Sequence, residues 1–275
     1  MKRKSKLLIL LEYLFIYSLA LCVLFPIINV FLNSFKTNED INRVVFWVNK
    51  LQLDNYVNVL KKGTVFSGFA NSLIYTGLSM CFSILVCSIA GYALGRRKEK
   101  IFKWIYIIFL ASMMIPSVAN LASLYSMLNK FHLIDNRLGI ILIFTSSTIP
   151  MGILLFTGFV KTIPAQLDEA ATIDGCGYSY RFMYVILPLM KQVMVTQSIV
   201  SSLGIWNDFY NSLVFLRSKS KMPLPMAVYS FMSEHSNDWG AVFALMSLAC
   251  IPPILFFLFG QKYFYGGVAA GAIKG

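Results

Sequence analysis

Few side chains in this 275-residue sequence have the type and spacing to make or break bonds. Both histidines, His132 and His235, fall between long apolar runs. No two carboxylates share an apolar run, which removes most proton-relay and general acid–base schemes. Cys22, Cys81, Cys87 and Cys250 lie in apolar runs and Cys176 in a polar stretch, with no CxxC spacing; they read as small packing side chains, not metal ligands. No G-x-x-x-x-G-K-[ST] occurs, so the chain has no phosphate cradle of its own, and its energy source must be an ion gradient or another subunit. A membrane enzyme is disfavoured, and recognition is the chemistry left.

The densest polar pattern is Lys161-Thr-Ile-Pro-Ala-Gln-Leu-Asp-Glu-Ala-Ala-Thr-Ile-Asp-Gly175. Pro164 suits a first helical position, Ala165 to Asp174 holds good helix formers, and Gly175 fits a C-terminal stop. A second helix is expected from about Tyr178 to Leu187, with Pro188 kinking the chain into the next apolar run. Ala170 and Ala171 thin one face of the first helix, and Glu169 stands in its middle. Such a helix, backed by a glycine turn, suits insertion into a groove of another protein; it equally suits an amphipathic surface helix with no partner.

This link hangs between long uncharged runs. The uncharged stretches are Tyr13–Phe35, Gly63–Gly95, Trp104–Asn129, Leu138–Val160 and Trp239–Gln261, and Gln192–Leu216 is interrupted only by Asp208. At about 1.5 Å per residue, roughly 23 helical residues cross a hydrocarbon core of about 30 Å. The chain is 57% hydrophobic and 13% charged, with mean hydropathy +0.68. That composition excludes a soluble globular enzyme and any disordered or fibrous class. A net charge of +12 in so apolar a chain reads as charge sorted by a membrane, with no nucleic-acid partner. The expected fold is all-α: a polytopic membrane protein with six transmembrane helices, at about 7–33, 69–95, 104–129, 138–160, 192–216 and 239–264. A cytoplasmic helix–turn–helix loop covers 161–191, and a small, flexible tail covers 266–275.

The first run follows Lys2, Arg3, Lys4 and Lys6 but is longer than a signal-peptide core and lacks a cleavage site, so it is expected to stay as a span. Arg96, Arg97, Lys98, Lys100 and Lys103 crowd the link between the second and third runs. With six spans both basic segments fall on one side, which places the two termini and residues 161–191 in the cytoplasm.

Glu169-Ala170-Ala171, three residues, Gly175, nine residues, then Val185-Ile186-Leu187-Pro188 resembles the EAA motif of binding-protein-dependent ABC importer permeases, with Val185 in place of isoleucine. Asp168 and Asp174 match common neighbours of that motif. Along the rest of the chain, Pro26, Asn33-Ser34-Phe35-Lys36, Asn71-Ser72, Tyr92-Ala93-Leu94 with Arg96, Ile115-Pro116, Trp206-Asn207-Asp208-Phe209, Asp238-Trp239-Gly240 and Gly271-Ala272-Ile273-Lys274-Gly275 resemble landmarks of the carbohydrate-uptake branch, the maltose G-type subunit. Gln192 departs from it where a proline is common.

The resemblance implies a permease subunit of a bacterial inner membrane. It would pair with a second permease, usually a different chain, above two ATPase subunits, and a solute-binding protein on the outer side would deliver a sugar or oligosaccharide. ATP and Mg would be used by the ATPase, with no cofactor bound by this chain. Glu169 would accept a charge-assisted hydrogen bond from a basic ATPase residue. Ala170 and Ala171 would allow close approach, Gly175 would set the turn, and Asp174, Leu187 and Pro188 complete the motif. The tail would reach the ATPase dimer interface.

Polar residues within spans are the candidates for lining the path: Asn120, Tyr125, Ser147, Gln197, Ser201, Asn207, Asp208 and Asn211, with Ser146, Thr148 and Ser202 beside them. Asp208, the one acid well inside a run, suits capping or pairing near an outer gate as well as it suits substrate contact. Gly91-x-x-x-Gly95 reads as helix packing. The alternatives are a permease for another solute such as glycerol phosphate, and, from a different class, a self-contained channel or gradient-driven carrier.

Overall fold

The computed structural model describes residues 6–61, 63–234 and 238–272, and these are almost entirely helical. Lys2, Arg3, Lys4, His235 and the last three residues of the expected tail lie outside them. In chain order the helices are α1 (Lys6–Ser34), α2 (Asn38–Asn42), α3 (Asp54–Lys61), α4 (Thr64–Arg96), α5 (Lys100–Ser112), α6 (Leu121–Lys130), α7 (Arg137–Val160), α8 (Gln166–Ile173), α9 (Tyr178–Leu189), α10 (Lys191–Trp206), α11 (Tyr210–Phe215), α12 (Leu224–Glu234) and α13 (Trp239–Ala272). Four of them are long and apolar enough to cross a membrane, and six spans result if each of two bent pairs counts as one.

Both bent pairs depart from straight spans. The run expected at 104–129 is α5 followed by Ser117–Lys130, turned by 99°. Pro116 has no N–H to donate and pushes Ile115 out of the helical region, so the ladder stops there. The run expected at 192–216 is helical only to Trp206. There Asp208 accepts from the Ser212 N–H at 3.0 Å and from the Asn211 amide at 2.7 Å, so its carboxylate caps the separate short helix α11. The bend between α9 and α10 is 68° and falls at Met190, just past Pro188. Pro188 cannot donate to the carbonyl four residues back, and Arg181–Ile186 before it is wound as a π-helix. At the C-terminal end α13 continues past 264 to Ala272, so the described part of the expected flexible tail is helix. Glycine weakens a helix by only about 1 kcal/mol per residue.

The chain forms two compact units: residues up to Phe66 with Val228–Ile251, and Ser67–Ala227 with the chain from Pro252 onward. In the first, α1 is apolar all round and buries none of its most hydrophobic window within the protein, as befits a helix bathed in lipid. Just past its end Lys36 is fully buried. The Lys36 Nζ donates to Asn33 Oδ1 at 2.7 Å and to the Val45 carbonyl at 2.5 Å, and Asn55 Nδ2 donates to the Ser34 and Lys36 carbonyls. A Cβ on Gly240 would lie 2.7 Å from the Asn55 amide nitrogen, so only glycine fits beside it. Asn33-Ser34-Phe35-Lys36 and Asp238-Trp239-Gly240 thus lock one irregular segment.

The core of the second unit is built on α4 against α7. A Cβ on Gly91 would come within 2.5 Å of Phe156 Cβ, and one on Gly95 within 2.6 Å of Val160 Cγ1. The two glycines therefore let the helix backbones meet. Cys87, Tyr92, Ile153, Phe156, Val160, Ile163, Phe182, Ile186 and Met190 form one buried cluster at that contact. At the other end of α7, Asp135 ties the segment before this helix to the segment after α11. It accepts from the Arg217 and Ser218 N–H groups, both at 3.0 Å, and from Ser218 Oγ and Lys221 Nζ. Burial opposes ionisation of Asp135, but those hydrogen bonds outweigh it and hold the carboxyl well below the usual carboxylate range.

Candidate functional site

The segment between α7 and α10 is built from local rules. Asp168 and Glu169 stand in the first turn of α8, where the helix dipole favours acids. The C-terminal end closes as a Schellman motif: Cys176 N–H donates to the Ala171 carbonyl at 2.9 Å and Gly175 N–H to the Thr172 carbonyl at 3.0 Å. That closure needs a left-handed residue, and Gly175 has φ +78°. The chain then enters α9.

What holds α8 in place comes from 72 residues earlier. Asp168 Oδ2 pairs with Arg96 Nε at 2.8 Å, and Tyr92 OH donates to Asp168 Oδ1. Arg96 Nη1 also donates to the Val160 and Ile163 carbonyls at 3.0 and 2.9 Å, closing the end of α7 and the turn after it. The pair is largely withdrawn from water, the side chains being 17% and 13% exposed. Salt therefore screens it less than a surface pair. Tyr92 and Arg96 are four residues apart on α4 and so share a face. The Tyr92 ring lies 5.1 Å from that of Tyr178 and 5.5 Å from that of Phe182, centroid to centroid. Arg181 donates to Thr172 Oγ1 at 2.6 Å, and Thr172 Oγ1 to the Asp168 carbonyl at 2.6 Å. Both link helices are thereby fixed to the end of α4.

The opposite face of α8 is left open. Glu169, Ala170, Ile173 and Asp174 are exposed, Ile173 by 87%, and Glu169 has no hydrogen-bond partner among the described residues. Gly175 and Pro188 are also exposed, and Leu187 is half-buried. Ala171 differs from the expectation: it is 7% exposed and faces into the protein, so its small side chain serves the packing of α8 on its own chain. It follows Asp168 by three residues, on the helix's inner face.

The candidates for a path do not converge on one cavity. Gln197 is fully buried and donates to the Thr148 carbonyl at 3.2 Å, and Ser201 and Ser202 are buried as well. Ser146, Ser147, Asn120 and Asn207 are exposed, and both serine hydroxyls bond to their own helix. Tyr125 accepts from Arg217, while Asp208 and Asn211 form the α11 cap. What residue type and spacing did not reveal was the role of Asp168, Tyr92 and Arg96. An arginine at the end of an apolar run, a tyrosine four residues before it and an acid beside Glu169 were the available signals.

Residues 83–269 match the family model described as binding-protein-dependent transport system inner membrane component. The melibiose/raffinose/stachyose import permease protein MelC of Bacillus subtilis is 31% identical over 88% of each chain. The arabinooligosaccharides transport system permease protein AraQ of the same organism is 32% identical, over 95% of this chain and 94% of that one. The multiple sugar-binding transport system permease protein MsmG of Streptococcus mutans is 30% identical over the full length of both. Among solved structures, a chain of a bacterial ABC transporter involved in import of the acidic polysaccharide alginate superposes with a TM-score of 0.85 at 23% identity, over 96% of this chain and all of that one.

Proposed function

We infer that this chain, which belongs to the family of binding-protein-dependent transport system inner membrane components, is the permease subunit of an ATP-driven importer for a sugar or oligosaccharide. Relatives named for sugar uptake, matched over 88% or more of their length, support the solute class. The observation that carries the mechanism is the two-sided character of α8: one face anchored through Asp168, the other presenting Glu169, Ala170 and Ile173 to a partner.

The partner is an ATPase subunit beneath the membrane. Glu169 accepts from a basic residue in its groove, Ala170 permits close approach, and Ile173 supplies apolar contact. ATP and Mg2+ act there, in the ATPase. Nucleotide-driven closure moves α8, and the membrane helices of this chain and of a second permease pass from inward-open to outward-open, where a solute-binding protein releases its cargo. The basic residues Arg97 and Lys98, between α4 and α5, and Lys100 and Lys103, in the first turn of α5, lie at the link's end of the protein, which supports a cytoplasmic link and cytoplasmic termini.

The assignment is tested with the assembled importer. Glu169→Lys is expected to leave the chain inserted but to lower ATPase copurification and abolish solute uptake. Gly175→Val strains a left-handed position and is expected to act in the same direction. Normal uptake with both changes, or solute movement by this chain purified alone, overturns the assignment. The solute retained by the copurifying binding protein decides between sugar and another cargo.

A further inference from the structure

We propose that Tyr92 and Arg96 are positioning residues for energy coupling: they clamp both helices of the link to α4, so that displacement of α8 is delivered to α4 and α7 as one body. This rests on α8 being the ATPase-docking helix. Covalently, α8 is joined to α7 by a short turn and to α9 by the Gly175 turn. The clamp adds side-chain ties across both connections. Both carboxylate oxygens of Asp168 are engaged from one face of α4. Arg96 reaches past Asp168 to the Val160 and Ile163 carbonyls, so a single guanidinium joins the ends of α4, α7 and α8. The Tyr92 ring adds α9 through Tyr178 and Phe182. Next to this junction Gly91 and Gly95 bring the α4 backbone into close contact with Phe156 and Val160 of α7. A push on the exposed face of α8 is therefore passed to two spans through charged hydrogen bonds and close packing.

A lysine at position 96 keeps the charge but cannot reproduce the fork that serves a carboxylate and two carbonyls at once. Asp168→Asn keeps the shape and removes the charge, and Tyr92→Phe removes one hydroxyl. The readout is solute transported per ATP hydrolysed by the complete importer in proteoliposomes. That ratio does not depend on how much protein assembles. Asp168→Asn and Arg96→Lys are each expected to lower it at least about fivefold, the low end of coupling between sites, while the ATPase still copurifies and still hydrolyses ATP. Tyr92→Phe is expected to lower it about twofold alone and to add nothing to Asp168→Asn, because both act through one carboxylate. An unchanged ratio in assembled Asp168→Asn importer reduces the clamp to a stability element and overturns the proposal. Loss of ATPase copurification with Asp168→Asn overturns it in another way, by making Asp168 part of the docking face. If Asp168→Asn does not assemble, the ratio for Tyr92→Phe decides, an unchanged value overturning the proposal. Failure of the underlying assignment looks different: Glu169→Lys then leaves both ATPase binding and uptake intact.

Discussion

Two aspartates bracket α7, and the same functional group does different work at each end. Asp135, just before the helix, satisfies its carboxylate chiefly on neighbouring backbone: the N–H groups of Arg217 and Ser218, with the Ser218 hydroxyl and Lys221 added. Asp168, just after it, is held by two side chains of α4, Arg96 and Tyr92. Asp135 joins two irregular segments to each other. Asp168 fixes a regular helix whose far face remains open. The first arrangement makes a closed structural knot; the second makes a mount. Burial and charge alone do not separate them, since both are partly buried and paired. The difference lies in whether the element being held has a surface left to offer.

That contrast is most strongly tested by removing each carboxylate. Asp168→Ala leaves the Arg96 guanidinium, 17% exposed, without its counter-charge, which costs about 3 kcal/mol, the low end for a buried pair because some water still reaches it. A drop of that size in the denaturation free energy of detergent-solubilised protein is expected, together with loss of uptake. Asp135→Asn keeps an acceptor for the backbone donors and is expected to cost about 1–3 kcal/mol, with solute moved per ATP unchanged. A coupling defect from Asp135→Asn would break the distinction drawn above.

Packing gives a comparison of intermediate size. Gly91→Ala forces a methyl group against Phe156 and is expected to destabilise by about 1–3 kcal/mol. In α7 a Cβ on Gly158 meets nothing within 4 Å, so Gly158→Ala is expected to stabilise by up to about 1 kcal/mol. Thermal unfolding of both variants checks the sign.

The smallest expected effect is a flat one. Asp135 is held below the ordinary carboxylate range, so its contribution is fully present above the unfolded value, about 3.9, and is lost only as pH falls toward the folded one. Amide protection at Arg217 and Ser218, corrected for intrinsic exchange, is expected to stay constant from about pH 8 to pH 5. A decline within that window would show that the knot around Asp135 is looser than its hydrogen bonds indicate.

Composition and charge spacing determined where the helices run, because a long uncharged stretch in lipid has to satisfy its own backbone. The helix formers from Ala165 to Asp174 and Gly175 likewise announced α8 and its stop, since helix formers and left-handed turns are written in adjacent residues, although α8 begins at Gln166, two residues past Pro164, and Glu169 falls in its first turn and not its middle. Gly91 and Gly95 announced a close helix contact, though not with which helix. Tertiary structure alone decided the rest. It broke the third span by 99° at Pro116 and ended the fifth at Trp206, where hydropathy reads straight through. It turned Ala171 inward, buried Gln197, and brought Asp168 to Arg96 across 72 residues of chain. Hydropathy and caps are local properties, legible within a few turns. A buried charge is satisfied by whichever helix end packs against it, and that is settled only when the helices meet.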